Sequence, residues 1–321
     1  MSTTRRAWTY LLLMALAGCG TPQHSTVRVI IPRHASFRSA TDSLANAGIL
    51  RFPGIFRVYT RLRSRDRDIQ AGTYLLRPGI SWNDLINALN GGEGSVGRIT
   101  IPEGFSVAQI APVLALTLQV PAESVDVAVR DSMLLGRLGV PGPTLEGYLF
   151  PDTYVFPPGT SARQAVNEMV MRFEREWKPE YAGRLAMLGV SRHEAVTMAS
   201  IVEKEAKLPE ERAVIAAVYY NRLQKRMPLQ ADPTVQYALG HHVDRVLYKD
   251  LRIESPYNTY LHIGLPPGPI ASPGGASLRA AVNPARVPYL YFVAASDGHH
   301  EFRTTLEEHD QARQAVRTGQ R

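Results

Sequence analysis

The feature that most constrains the fold is a pattern that occurs three times in the amino-terminal third of the chain. A β-rich run ends in a proline and a turn, and a serine beside an apolar residue then precedes apolar residues at helical spacing. Each serine is typical of an N-cap, which accepts a hydrogen bond from the first turn of a helix. The β-rich runs are Val27–Ile31, Thr73–Leu76 and Arg98–Ile101, and the serines are Ser36, Ser81 and Ser106. The pattern predicts small β-α units, either as true repeats or because strand, turn and helix is a common local design.

The sequence changes character at Pro141, where longer helical patterns begin between loops rich in proline and glycine. Apolar spacing predicts helices over Ser161–Trp177, Ser191–Lys207 and Glu210–Arg226. A chain of 321 residues is long enough to divide into two domains. We therefore predict an α+β fold, with a small β-α module over residues 27–97, a connecting β-α segment over 98–140 and a mixed, helix-rich domain over 141–321.

Composition favours a globular protein that works beside an anionic partner. Hydrophobic residues make up 45% of the chain and charged residues 20%, which argues against long disordered tracts. The formal net charge is +7, which suits phospholipid headgroups, an acidic cell-wall polymer or nucleic acid, and charge alone does not choose among them. The arginine-rich stretch with Arg61, Arg63, Arg65 and Arg67 would favour anionic lipid or an acidic polymer of the envelope.

The amino terminus resembles a bacterial export signal. Arg5 and Arg6 precede an apolar run from Trp8 to Ala17, which is about half of the ~20 residues needed to span a bilayer. The run ends in Leu-Ala-Gly-Cys, which resembles the site where lipoprotein signal peptides are cut and the cysteine is acylated. We predict a lipoprotein-type signal peptide over residues 1–19, a lipid anchor on Cys19 and a linker over 20–26, with an uncleaved signal anchor as the alternative. Export argues against nucleic acid as a partner.

One predicted helix carries two glutamates beside its apolar face. A helical wheel from Ser191 places Glu205 between Met198 and Ile201. A carboxyl group in that position should be partly desolvated, which raises its pKa toward a value useful for donating a proton. Glu203 also borders the apolar face, so the wheel does not separate the two glutamates. Both can also simply flank the apolar face or pair with nearby lysines.

Several motifs in a fixed order resemble one known family. They are Leu145–Tyr154, Met198–Glu205, Val218–Leu223, Leu229–Val235, Ser255–Tyr260, Gly264–Ile270, Ala280–Pro284 and Tyr289–Val293. Together they are similar to the YceG-like (MltG) family of endolytic murein transglycosylases, and the resemblance runs from about residue 27 to 310. By the family's pattern the catalytic glutamate is Glu205.

The resemblance implies a lyase that needs one carboxyl group and no metal or organic cofactor. Glu205 would protonate the glycosidic oxygen between N-acetylmuramic acid and N-acetylglucosamine and then accept the proton of the muramic C6 hydroxyl, which leaves a 1,6-anhydro end and terminates strand elongation. The implied partners are nascent peptidoglycan strands and penicillin-binding proteins. The family also implies a LysM-like amino-terminal module and a position at the inner membrane, with the catalytic domain on the extracytoplasmic side.

Eight polar residues within the motifs are candidates for substrate binding: Glu146, Asn221, Arg222, Gln230, Asp232, Tyr257, Asn258 and Tyr260. Structural roles compete with this interpretation. Asn221 and Arg222 end an apolar helical run, where side chains often bond the last carbonyls. Asp232 precedes a proline and can cap the next helix. The tyrosines can stack on sugars or pack in a core.

Two further functional hypotheses remain open on the sequence. A non-catalytic peptidoglycan-binding scaffold of the envelope would also use the amino-terminal module and the anchor. A metalloenzyme is suggested by the pairs His241-His242 and His299-His300, with Asp244 and Asp297 nearby. We disfavour a metal site because adjacent histidines point apart on regular structure and no His-Glu-x-x-His spacing is present.

Overall fold

The structure is a computed structural model, which describes residues 27–32, 35–63, 69–91, 95–96, 98–157, 159–241, 243, 245–295 and 298–319. The chain forms two compact units, the first of which ends at Val96. The predicted signal peptide, Cys19 and the predicted linker lie outside the described residues. Among the helices that are described, none combines the length and the apolar character needed to cross a bilayer.

The amino-terminal unit is an antiparallel sheet with helices. Its elements are β1 (Val27–Ile31), α1 (Phe37–Asn46), α2 (Pro53–Leu62), β2 (Gly72–Leu76), α3 (Trp82–Gly91) and β3 (Ser95–Val96). Strand β2 lies between β1 and β3, and Val29 is the partner of Tyr74. Because successive strand residues point to opposite faces, Val29 and Ile31 are buried while Ile30 is exposed. The buried face packs against Leu44, Phe56 and Leu85 of the helices.

The second unit contains most of the helices. Its elements are β4 (Arg98–Thr100), α4 (Val107–Leu118), α5 (Ala122–Ala128), α6 (Ser132–Leu138), β5 (Thr153–Val155), α7 (Ala162–Glu176), α8 (Tyr181–Leu188), α9 (Arg192–Glu205), α10 (Arg212–Gln224), α11 (Asp232–Leu239), α12 (Gly275–Val282), β6 (Tyr291–Ala294), β7 (His300–Arg303) and α13 (Leu306–Arg317), with 3-10 turns at Pro209–Glu211 and Asp250–Arg252. The pairs β4–β5 and β6–β7 are antiparallel. The described chain combines many helices with a few short strands. The predicted helix-rich α+β class is therefore confirmed.

Ser36 and Ser81 cap the helices that follow them, as predicted, and Ser106 occupies the N-cap position of α4. The Ser36 side chain accepts a hydrogen bond from the Ser39 backbone N–H at 3.2 Å, and Ser81 accepts from Asp84 at 3.1 Å. Gln109 accepts from the Ser106 backbone N–H at 3.0 Å. The third strand of the sequence pattern, β4, pairs with β5 and not with the sheet of the amino-terminal unit. The three similar sequence segments therefore have different pairing environments.

Helix α9 is the centre of the second unit. Every residue from Ala195 to Val202 is buried, so this part of the helix is surrounded on all sides. Helices α10, α11 and α12 pack against it. Burial extends beyond the apolar face given by the helical wheel, because Thr197 and Ser200 in the middle of the helix are also buried. Their hydroxyls bond the backbone: Ser200 donates to Thr197 O at 2.7 Å and accepts from Ile270 N–H at 3.0 Å.

Gly147 sits where the loop before β5 meets the loop that follows Pro267. Its φ is +82°, in the left-handed region that favours glycine. A Cβ atom there would lie 2.4 Å from Cβ of Pro269 and 3.2 Å from Cγ1 of Val196 on α9. The close approach of the two loops therefore requires glycine on both conformational and steric grounds.

We predict that Gly147→Ala destabilises the protein by about 2 kcal/mol more than Gly139→Ala. Gly139 has a similar φ of +65° but has no atom within 4 Å of the added Cβ, so it isolates the conformational cost. Urea unfolding of the two variants measures the difference. Equal losses would show that Pro269 moves aside without cost.

Candidate active site

Glu205 is the last residue of α9, where the buried helix reaches the surface. The residue is partly exposed to solvent. The hydroxyl of Tyr219, on α10, donates a hydrogen bond to Oε1 of Glu205 at 3.2 Å. Tyr219 is itself 1% exposed and lies edge-on to Phe292 at 5.8 Å between ring centroids. A fixed donor therefore orients one oxygen of the carboxyl group.

The environment of Glu205 raises its pKa to about 7. Burial is the largest cause, because it disfavours the charged form, and the negative charge of Asp232 adds to it. The hydrogen bond from Tyr219 and the positive charge of Arg222 act in the opposite direction. A carboxyl group with a pKa near neutrality is present in both protonation states at physiological pH, so it can donate a proton and later accept one.

Several of the predicted binding residues do lie around Glu205. Asp232 opens α11, and the Tyr260 hydroxyl donates to its Oδ1 at 2.6 Å. Gln230 adopts a φ of +52°, which is uncommon for a residue other than glycine. Its side-chain oxygen lies 3.4 Å from Nη1 of Arg222, which donates to it. Strained backbone of this kind often occurs at functional sites.

Arg222 mainly holds the surrounding loops. Its guanidinium donates to Leu290 O at 2.7 Å and to Leu229 O at 2.9 Å, and it lies over the Tyr291 ring at 5.2 Å. These bonds attach α10 to the segment before α11 and to β6. The charge of Arg222 still reaches Glu205, since it lowers the pKa of that carboxyl group.

Two predicted binding residues have their amide groups occupied by backbone. Asn221 donates to Val287 O and to Tyr289 O, both at 2.9 Å. Asn258 is fully buried and donates to Leu251 O at 3.0 Å and Ile253 O at 2.9 Å. Both therefore position loops. The structural alternative given for Asn221 was a bond to the last carbonyls of its own helix, whereas the carbonyls that its amide contacts belong to the segment 287–289.

Glu146 and Tyr257 belong to a second polar group at the start of α4. The backbone N–H of Val107 donates to both carboxyl oxygens of Glu146, at 3.0 and 3.1 Å, and Tyr237 donates to Oε2 at 3.3 Å. Tyr257 packs against Tyr237 with 4.7 Å between ring centroids. Glu146 is 6% exposed, and burial raises its pKa to about 7. This carboxyl group therefore caps the amino terminus of α4.

Glu203 and Glu205 have different surroundings in the structure. Oε2 of Glu203 accepts from the Gly274 backbone N–H at 2.9 Å, at the start of α12, and Oε1 lies 3.7 Å from Arg212. The Glu203 side chain is 7% exposed. Its carboxylate is therefore committed to an ion pair and a helix terminus, whereas the Glu205 carboxyl group accepts a hydrogen bond from a tyrosine.

Tyr219 is the residue of the site that sequence reasoning missed. It lies in the motif Val218–Leu223, three positions before Arg222, so the two share one face of α10. That spacing was the available signal. The contact with Glu205 joins two helices through a turn, and periodicity within one helix does not reveal it.

The histidines considered for a metal site have ordinary partners. His300 lies 2.6 Å from the Glu211 carboxylate in a buried pair, and His241 Nδ1 lies 3.0 Å from Leu239 O. His242, Asp244 and Asp297 lie outside the described residues. Within the part of the chain that is described, no three metal-binding side chains come together.

Fold and site together define an α+β protein whose candidate site centres on one carboxyl group at the end of a buried helix. The chain belongs to the YceG-like family, whose model matches residues 29–315. It is 38% identical to an endolytic murein transglycosylase of Bacillus subtilis, over 90% of this chain and 84% of that protein. The corresponding protein of Streptococcus pneumoniae is 31% identical, over 88% of this chain but only 57% of its own length.

A crystal structure of a YceG-like protein from Listeria monocytogenes is also similar. It is 35% identical, with a TM-score of 0.63, over 89% of this chain and 99% of that one. The predicted resemblance to the YceG-like family is thereby confirmed.

We predict that Glu205→Gln stabilises the protein at pH 8 by about 2 to 3 kcal/mol more than at pH 5. The carboxyl pKa is about 7 in the folded protein and 4.5 when unperturbed, so the unfolded state loses its proton first as pH rises. The parent therefore loses stability between these values, and glutamine does not titrate. Chemical unfolding at the two pH values measures the difference, and an equal effect at both would contradict the raised pKa.

Proposed function

We propose that this protein is an endolytic lytic transglycosylase of peptidoglycan, with Glu205 as its single acid and base. The observation that carries the proposal is the carboxyl group of Glu205, which has a pKa of about 7 and is fixed by Tyr219 at a partly exposed position. The names of the relatives support the reaction, since those from Bacillus subtilis and Streptococcus pneumoniae are endolytic murein transglycosylases. They also favour an enzyme over a non-catalytic scaffold.

In the proposed reaction Glu205 donates one proton and later accepts one. Protonated Glu205 gives its proton to the glycosidic oxygen as the bond from C1 of N-acetylmuramic acid breaks. The oxygen leaves as the 4-hydroxyl of N-acetylglucosamine. The C6 hydroxyl of the muramic residue then closes on C1 and passes its proton to the Glu205 carboxylate. The products are a new glycan end and a 1,6-anhydro ring, no water is consumed, and Glu205 is protonated again.

The surrounding residues have distinct proposed roles. Asp232 and Tyr260 are hydrogen-bonded to each other beside Glu205, where the Asp232 charge would favour an oxocarbenium-like transition state. Gln230 would contact sugar hydroxyls. Arg222 is a positioning residue that also balances charge. Glu146 and Tyr257 would bind a more distant part of the strand.

The remaining expectations complete this proposal. We propose that the protein works in the cell envelope, held by an acyl anchor on Cys19 at the inner membrane, with the catalytic domain over 141–321 on the extracytoplasmic side. The module over residues 27–97 would bind peptidoglycan as a LysM-like unit, joined through the segment over 98–140. Penicillin-binding proteins that make the nascent strands are the expected partners, and nucleic acid is not.

We predict that Glu205→Gln lowers the rate of release of 1,6-anhydro muropeptides from purified sacculi at least about a thousandfold. The reason is that the amide cannot donate or accept the proton. Glu203→Gln is the matched control: it changes the neighbouring glutamate that binds Gly274 and Arg212, and it should keep most of the activity per folded molecule. Mass spectrometry of the released products measures both. Undiminished anhydro products from Glu205→Gln would refute the proposed role.

We predict that Tyr219→Phe shifts the high-pH limb of the rate profile upward by about half to one pH unit. The Tyr219 hydrogen bond lowers the pKa of Glu205, so its loss keeps the acid protonated to higher pH. Tyr220→Phe is the control, because its hydroxyl donates to Ala281 O at 3.0 Å on a different side of the helix. Initial rates on sacculi between pH 5 and 9 test this, and a purely structural role for Tyr219 would lower the rate without moving the limb.

A further inference from the structure

The amino-terminal unit exposes an apolar stripe on helix α2. Ile55, Val58 and Leu62 are 59%, 60% and 82% exposed. On a helical wheel the three fall within about 60° of one another, opposite the buried residues Phe56 and Thr60. A contiguous stripe of aliphatic side chains on the outer face of a helix marks an interaction surface more often than a solvated one.

Positive charge surrounds this stripe. Residues 37–63 contain five arginines and a single acidic residue, Asp42. Asp42 is paired with Arg57, whose Nε also donates to Thr41 at 2.6 Å. A recess between α1 and α2 brings arginines and apolar side chains together; it is lined by Phe37, Arg38, Arg57, Val58, Arg61 and Leu62. The face therefore combines apolar insertion with attraction for anions.

An aromatic pair flanks the stripe on its other side. The rings of Tyr59 and Trp82 lie edge to face with centroids 5.2 Å apart, and the Arg63 guanidinium lies 4.6 Å from the Tyr59 ring. Tyrosine, tryptophan and arginine beside aliphatic residues are typical of surfaces at the boundary between headgroups and acyl chains.

We propose that α2 lies flat on an anionic phospholipid bilayer, with Ile55, Val58 and Leu62 among the acyl chains and the neighbouring arginines at the phosphates. Two observations favour lipid over a glycan strand or a second copy of this chain. Aliphatic side chains offer no hydrogen bonds to sugar hydroxyls, and a second copy would bring the same arginines against each other.

The predicted lipid anchor on Cys19 also favours a bilayer as the partner of α2. The predicted acyl anchor on Cys19 precedes Val27 by eight residues, which span at most about 28 Å when extended. A unit held this close to a membrane meets its surface at high effective concentration.

Vesicle flotation tests the proposal with the chain from residue 20 onward, which keeps every described residue and lacks the anchor. We expect it to float with vesicles of 30% phosphatidylglycerol and 70% phosphatidylcholine and not with phosphatidylcholine alone. Leu62→Glu and Arg61→Glu should each lower the partition coefficient by at least about tenfold. Leu116→Glu, on α4 with the same 82% exposure, and Arg130→Glu are the matched controls and should bind like the parent.

Unchanged thermal melting of the variants shows that the fold is intact, because the changed side chains are exposed. The proposal is overturned if the parent binds both vesicle types equally or neither, or if the α2 variants bind like the controls. It is also overturned if the α2 variants lose binding to lipid-free sacculi, which would assign the surface to glycan, or lose a dimer seen by light scattering. Catalytic assays on sacculi fail or succeed independently of these outcomes.

Discussion

The burial of α9 is the constraint on which the candidate site depends. Eight consecutive residues from Ala195 to Val202 have no solvent-facing side, so neighbouring helices must surround the helix and fix its direction. The first residues to regain exposure are those of the last turn, where Glu205 lies. A carboxyl group at that point is held by a rigid element yet remains within reach of a substrate, which is how precise sites are generally built.

Effects of opposite sign set the pKa of the Glu205 carboxyl group. Burial and the charge of Asp232 favour the neutral form, while the Tyr219 hydroxyl and Arg222 favour the anion. Burial is the largest of these effects, so the pKa of Glu205 lies above its ordinary value although the hydrogen bond and the arginine lower it. Both the protonated and the ionised carboxyl group are therefore accessible near neutral pH. A reaction in which one group first donates a proton and then accepts one requires both forms.

Local sequence signals predicted the elements well and the contacts between them poorly. Ser161 and Ser191 mark the starts of α7 and α9 because capping is a property of a few adjacent residues. The pairing of β4 with β5, and the hydrogen bond from Tyr219 to Glu205, join segments separated by a turn or by whole helices, and no periodicity encodes them. The wheel could not separate Glu203 from Glu205, since what distinguishes them is the position of Arg212 and Gly274 in space.

A second carboxylate near Glu205 raises the question of hydrolysis, since most glycoside hydrolases use two such groups. Asp232 is poorly suited to activate water. One of its oxygens accepts the Tyr260 hydroxyl at 2.6 Å and is already occupied by that hydrogen bond. Its charge acts instead on Glu205, whose pKa it raises. A negative charge that favours the protonated form of Glu205 fits a reaction in which the substrate's own hydroxyl replaces water.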